Sequence, residues 1–272
     1  MKIGLIGTGN MGGILAEAIA DGQGIYPSNL YVTNRTLSKA EELKRKIPQI
    51  HVCQTASEVI TNTDLIFLCM KPLDLFPILN DNQALFTDDK CVVSITSPIS
   101  VEQLETIAGC SCVRAIPSIT NRALAGVSLV TYGKSCTDEW RKKVDELLST
   151  FSSPVEIDNS ITRVASDIVS CGPAFFSYLT QRFIEAAVSN TGIDHDTATI
   201  LSANMLIGLG ELLRKEFYTL PALQQKVCVK GGITGEGIKV MEQELGDVFD
   251  HLFEATHEKF REDLEAVKKQ FN

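Results

Sequence analysis

The chain lacks an apolar stretch long enough to cross a bilayer. Its two most apolar runs, 168–181 and 197–210, each extend 14 residues between charged side chains, where a spanning helix needs about 20. It also lacks any run of more than three consecutive Lys and Arg. Its formal net charge is −9, so the positive surface that phosphate contacts require is missing and neither nucleic acid nor a membrane is expected as a partner. There are four His, and the eight Cys (53, 69, 91, 110, 112, 136, 171, 228) form no C-x-x-C pair. Neither a metal site nor a disulfide framework is therefore expected, and a reducing cytoplasm is the compartment the thiols suit. Residues 3–20 do not read as a secretory signal, because five Gly, Thr8, Asn10 and Glu17 interrupt the apolar region. No internal repeat or low-complexity linker divides the chain.

What is present is an ordinary globular composition over 272 residues, 44% hydrophobic and 22% charged, enough for two medium domains. Up to about Glu156, short apolar runs alternate with amphipathic segments. The runs are Ile3 to Ile6, Leu30 to Thr33, Leu65 to Cys69, Cys91 to Ile95, Cys112 to Ala115 and Val127 to Thr131. Parallel strands need crossovers of a dozen or more residues, and helical patterns such as Met11 to Ala20, Ser38 to Lys46 and Val101 to Ala108 fill the gaps. This predicts an α/β fold, a Rossmann-type doubly wound parallel sheet over residues 1–158. The remaining 159–272 reads as all-α, with long helical patterns at 173–190, 195–216 and 246–270. The middle one, rich in small and apolar residues around Met205 to Gly210, predicts burial against another subunit, hence a homodimer or larger homo-oligomer. The last, rich in Glu and Lys, reads as a solvated outer face.

The first strand runs into Gly7-Thr8-Gly9-Asn10-Met11-Gly12, a G-x-G-x-x-G that opens a helix. Gly7 permits a tight turn, Gly9 the approach of a pyrophosphate and Gly12 close packing of helix on strand, while the helix N-terminus meets the phosphate charge. Ile6, Gly7, Thr8, Gly9, Asn10, Met11 and Gly12 are thus expected to bind a dinucleotide. At the end of the second strand an NAD site would place a carboxylate on the ribose hydroxyls. Here stand Thr33-Asn34-Arg35-Thr36, and Asn34, Arg35 and Thr36 suit the 2′-phosphate of NADP, with NADPH preferred over NADH.

These segments, with Met70-Lys71-Pro72, Arg114-Ala115-Ile116-Pro117, Ser170-Cys171-Gly172-Pro173-Ala174-Phe175 and Gly231-Gly232-Ile233-Thr234, resemble in order and spacing the pyrroline-5-carboxylate reductase family over nearly the whole chain. The resemblance implies NADPH-dependent reduction of a cyclic imino acid, pyrroline-5-carboxylate to L-proline, in a protein whose helical domain interlocks with a twin. It also implies that Met70, Lys71, Pro72 and Thr96 lie beside the cofactor. Lys230, Gly231, Gly232, Ile233 and Thr234 would then bind substrate, with the Thr234 hydroxyl near the ring nitrogen as the catalytic group. A protonated imine accepts hydride readily, so positioning by backbone N–H groups suffices, and no Ser-His-Asp set, carboxylate pair or metal is needed. By pattern alone, Gly231-Gly232 could equally join two helices, and Lys71-Pro72 could simply end a strand. Pro173 is expected to begin the first long helix.

Against the family pattern, Ala-Ala-Gly has become Thr96-Ser97-Pro98, and Pro-Asn-Thr-Pro has become Pro117-Ser118-Ile119-Thr120. The Ser-Pro before the Gly-Gly pair is Val229-Lys230, the first Thr after it is Ile233, the Tyr after Pro-Ala is Phe175, and two Asn are Lys226 and Ala56. Several of these changes meet at one pocket. They resemble a divergent late-competence paralogue within the family, and suggest as an alternative a cofactor-binding regulatory protein with little or no reductase activity. A β-hydroxyacid dehydrogenase would need a Lys in the first long helix of the second domain, and residues 161–214 contain none.

Overall fold

The computed structural model describes residues 1–271. The chain forms two compact units: Met1–Pro173 together with the chain from Phe253 onward, and Ala174–Leu252.

The first unit is built on strands Ile3–Ile6 (β1), Leu30–Thr33 (β2), His51–Val52 (β3), Leu65–Leu68 (β4), Cys91–Ser94 (β5), Ser111–Ile116 (β6), Val127–Tyr132 (β7) and Ser153–Glu156 (β8). They form one sheet in the order β3-β2-β1-β4-β5-β6-β7-β8. The strands from β1 to β6 are parallel to one another, whereas β7 pairs antiparallel with β6, and β8 pairs parallel with β7. The expected doubly wound parallel sheet is present, with β7 and β8 added at one edge in the reversed direction. A short turn through 119–123 joins β6 to β7, too little chain for a right-handed crossover, so β7 must return antiparallel.

Strand residues alternate between two cores, as a period of two requires. Leu5, Phe67 and Val93 face helices Asn10–Asp21 (α1), Leu37–Lys46 (α2) and Asp138–Ser149, while Ile6, Ile66 and Val92 face Ala56–Asn62 (α3), Pro72–Asp81 (α4) and Val101–Glu105 (α5). Asp138–Ser149 is α6. Covered on both faces, the strands are continuous apolar runs.

Helix α4 contains Pro77, which has no N–H to give to the carbonyl of Leu73 one turn back. The side-chain amide of Gln270 donates to that carbonyl at 3.1 Å. Gln270 comes from the far end of Val248–Phe271, whose Val267 is 1% exposed within the α3/α4 core. The ring of Phe271 meets Phe76 edge-on at 5.0 Å. The last turns of this helix are thus a packed strut for α4 along one side, while its Glu and Lys side chains form the expected solvated face.

The chain beyond β8 also stays with the first unit. Thr162–Ser166 (α7) passes through a π-helical turn, Asp167–Cys171, into Gly172–Asn190 (α8). Buried Arg114 on β6 donates to Asn159 Oδ1 (2.8 Å) and Thr162 Oγ1 (2.6 Å). Buried Asp167 accepts from Arg163 at 2.8 Å and from Thr256 at 2.9 Å. These bonds explain why the division falls after Pro173 where a boundary after residue 158 was expected. Although α8 continues directly from the π-helical turn, Pro173 stands in its first turn, as expected. The carbonyl of Val169, one turn before it, accepts from buried Ser118 Oγ at 2.8 Å.

The second unit holds the body of α8, His195–Arg214 (α9), Leu220–Val227 (α10), Ile233–Glu244 (α11) and the start of Val248–Phe271 (α12). Few of its side chains are buried within the chain, Ile184 and Ala198 among them, whereas Phe176, Phe183, Ile200, Met205 and Ile207 are exposed. No helix among the described residues is long and apolar enough to cross a membrane.

Candidate functional site

The glycine loop sits where β1 ends, between the ends of β2 and β4. Gly7 has φ +103°, and a Cβ there would lie 2.3 Å from the Cys69 carbonyl oxygen. At Gly12 a Cβ would lie 1.9 Å from the Gly7 carbonyl oxygen. Both positions are closed to any other residue by backbone atoms, which cannot swing aside. Gly9 is different: nothing stands within 4 Å of its would-be Cβ. It is the N-cap of α1 and gives no side-chain cap, so the first-turn amides of the helix have no capping side chain. The backbone N–H of Thr8 donates to Asn34 Oδ1 at 3.0 Å, and the buried Thr8 hydroxyl has no partner. An orphaned buried hydroxyl beside uncapped amides and an unfilled space is the arrangement a pyrophosphate completes. The residues present therefore fit a dinucleotide.

Asn34, expected to contact cofactor, is engaged within the chain, accepting from Thr8 and donating to the Thr36 carbonyl at 3.0 Å. It braces the loop. Arg35 reaches outward, its side chain 88% exposed, with one guanidinium nitrogen 3.7 Å from Asp74 of α4. That carboxylate does not belong to the β2 end; α4 brings it in from another crossover. Thr36 caps α2 by position but without a side-chain bond. On the β4 side, the Ile6 carbonyl accepts from Cys69 N–H at 2.8 Å, Met70 packs half-buried on the α3/α4 core, and exposed Lys71 with Pro72 opens α4.

At the end of β5, half-buried Thr96 bonds Ser94 Oγ through its hydroxyl (3.1 Å), and the Ser97 carbonyl accepts from Arg114 (3.3 Å). Burial pushes the Arg114 guanidinium down to about 10, against the opposing attraction of Glu102. It therefore remains charged near neutrality. Arg114 thus pins the Thr96-Ser97-Pro98 loop, which motif matching left without a mechanical role for it.

The Gly-Gly segment lies in the second unit. Gly232 N–H donates to the Val229 carbonyl at 2.9 Å, closing a β-turn in which Gly231 takes φ +73°. A Cβ on Gly232 would sit 2.8 Å from Val229 Cγ2. Gly232 then caps α11 without a side-chain bond. Lys230 and Thr234 are exposed and Ile233 is 92% exposed. The helix-joining turn is real, and it leaves the amides at the start of α11 free of a capping side chain. Among the described residues no cluster of His, Cys, Asp and Glu could hold a metal ion.

Over 273 residues, and 99% of both chains, the sequence is 33% identical to pyrroline-5-carboxylate reductase 3 of Bacillus subtilis (strain 168). The chain belongs to the pyrroline-5-carboxylate reductase family. It is also 52% identical, over the full length of both, to ComE operon protein 4 of the same organism. Residues 159–263 match the pyrroline-5-carboxylate reductase dimerisation family, and residues 2–98 match the family described as NADP oxidoreductase coenzyme F420-dependent. The nucleotide end is accordingly that of an NADP oxidoreductase. The fold matches a crystal structure of Plasmodium falciparum pyrroline carboxylate reductase with NADP bound, at TM-score 0.82 and 21% identity over 100% of this chain and 98% of that one.

Proposed function

We propose that the protein reduces a cyclic imino acid with NADPH, converting pyrroline-5-carboxylate or a close relative to L-proline or its counterpart. The observation that carries this reading is the unpartnered buried hydroxyl of Thr8 beside the open approach at Gly9, in a chain of this family. The amides of Gly9 to Gly12 hold the pyrophosphate, and Arg35 takes the 2′-phosphate. Lys71, Pro72 and Thr96 line the cofactor's course. When bound, the reduced nicotinamide supplies a hydride.

The amides of Gly231, Gly232 and Ile233 hold the substrate carboxylate, assisted by the Lys230 ammonium, and the Thr234 hydroxyl hydrogen-bonds at the ring nitrogen. The protonated C=N carbon gains the hydride and the nitrogen keeps its proton, so no side chain need transfer one. The helical unit assembles as a homodimer through the apolar side chains it leaves exposed. Eight free thiols suit a reducing cytoplasm.

A second reading, a cofactor-binding regulatory protein with little or no turnover, is favoured by the charge that Lys230 introduces beside the Gly-Gly turn and by the likeness to ComE operon protein 4. A panel of cyclic imines offered with NADPH to the purified protein separates the two. Consumption of NADPH with a five-membered imino acid supports the reductase; tight NADPH binding with no consumption on any imine supports the regulator.

A further inference from the structure

We propose that Asp74 is a specificity-determining residue, a carboxylate that competes with the cofactor's 2′-phosphate for Arg35 and so limits how strongly the protein prefers NADPH to NADH. The inference rests on the NADPH reading and goes beyond it by assigning a residue outside the nucleotide motif.

Arg35 follows β2, and Asp74 lies in the first turn of α4, just after β4; β2 and β4 are the two neighbours of β1. The Arg35–Asp74 pair, 3.7 Å apart, therefore spans the mouth in which the glycine loop lies. A phosphate that binds Arg35 comes within a few ångströms of a second anion.

The two partners are held differently. Arg35 is an extended arm, 88% exposed. Asp74 stands on fixed backbone, since Gln270 holds the carbonyl of neighbouring Leu73, Phe271 packs on Phe76, and Leu75 is wholly buried. Helix α4 thus keeps the Asp74 backbone at the mouth when phosphate arrives. The guanidinium must either share its donors between carboxylate and phosphate or leave Asp74. NADH, with hydroxyls in place of the phosphate, does not need that exchange. At 46% exposure, Asp74 is screened by water and salt, so its influence is moderate and depends on ionic strength.

The probes are adenosine 2′,5′-bisphosphate and AMP, which differ only in the 2′-phosphate. Each is titrated calorimetrically against the full-length protein and against the Asp74→Asn, Arg35→Ala and doubly substituted variants. Asp74→Asn should tighten the bisphosphate by about threefold to tenfold at low salt, leave AMP unchanged, and lose most of its advantage at high salt. In the Arg35→Ala background the gain should shrink below about twofold, because the contested cation is gone.

An unchanged bisphosphate affinity in Asp74→Asn, with matching thermal unfolding, overturns the proposal. Equal weakening of both ligands also overturns it, since Asp74 would then be holding the ribose or adenine. Failure of the underlying reading looks different: the parent protein would bind bisphosphate no tighter than AMP, and Arg35→Ala would alter neither. A collapse of the bisphosphate preference in Arg35→Ala with no effect of Asp74→Asn would reject Asp74 alone.

Discussion

At the scale of single residues, the site is governed by what backbone atoms forbid and what side chains leave unpaired. Gly7 and Gly12 are excluded from carrying a Cβ by carbonyl oxygens at 2.3 and 1.9 Å, whereas Gly9 is empty toward solvent. Sequence spacing placed all three, but the orphaned Thr8 hydroxyl and the bracing role of Asn34 depend on geometry that no motif encodes. Arg35 was legible from the absence of a local carboxylate, yet Asp74 arrives from a different crossover and was not. NADPH should bind at least about tenfold more tightly than NADH, roughly 1.4 kcal/mol, and Arg35→Ala should remove most of that gap; fluorescence titration of both cofactors measures it. If Lys230 assists the substrate anion, Lys230→Ala should raise KM for an acidic imine by about tenfold with little change in kcat, since binding common to ground and transition states is lost. NADPH affinity should not move. An unaltered KM would assign Lys230 to solvent.

At the scale of elements, two prolines within helical runs are each answered by a side chain from elsewhere. Gln270 answers Pro77 and Ser118 answers Pro173. The alternation of apolar runs made most of the strands legible, because strands covered on both faces are uniformly apolar. It missed β3, which has two residues, and β8, which is largely exposed, since neither presents a buried run. It missed the docking of α12 because Glu265, Lys268 and Lys269 crowd the sequence around the buried Val267. Val267→Ala should destabilise the first unit by about 1–3 kcal/mol through lost burial and a cavity, read as a lower midpoint in urea unfolding.

The turn at 119–123 docks on α1 through Glu17, which meets Arg122 and Lys46 at 2.7 Å each. Burial opposes ionisation of Glu17, but the hydrogen bonds from Lys46 and Arg122 prevail and hold its carboxyl below the usual range. A carboxyl depressed in the folded state lends stability above its unfolded pKa and loses it as pH falls through the folded value. Glu17→Gln should therefore lower the thermal midpoint at neutral pH, and the difference from the parent should close in acid, once the parent's own carboxyl is protonated. A constant difference across that range would mean the ion pairs contribute nothing.

At the scale of the whole molecule, the two units use their apolar residues in opposite ways. The first buries them in two sheet-facing cores, while the second leaves Phe176, Phe183, Ile200 and Ile207 exposed within one chain. A patch of that kind in a chain with a matched dimerisation region calls for a second copy. Sedimentation at micromolar concentration should find a dimer or larger assembly and no monomer, and Ile207→Glu should shift it toward monomer. The small-residue composition around Gly208 and Gly210 made this legible, though the route of each helix was not.

Isotope transfer follows the hydride that the proposed reaction moves from reduced nicotinamide to an imine carbon. The full-length protein is incubated with pyrroline-5-carboxylate and NADPH carrying deuterium at the transferable nicotinamide position, and the product is examined by mass spectrometry. Proline carrying one deuterium, formed in step with oxidised cofactor, is the expected product. NADPH that binds with the expected preference over NADH yet leaves the imine unlabelled would contradict the proposed reaction.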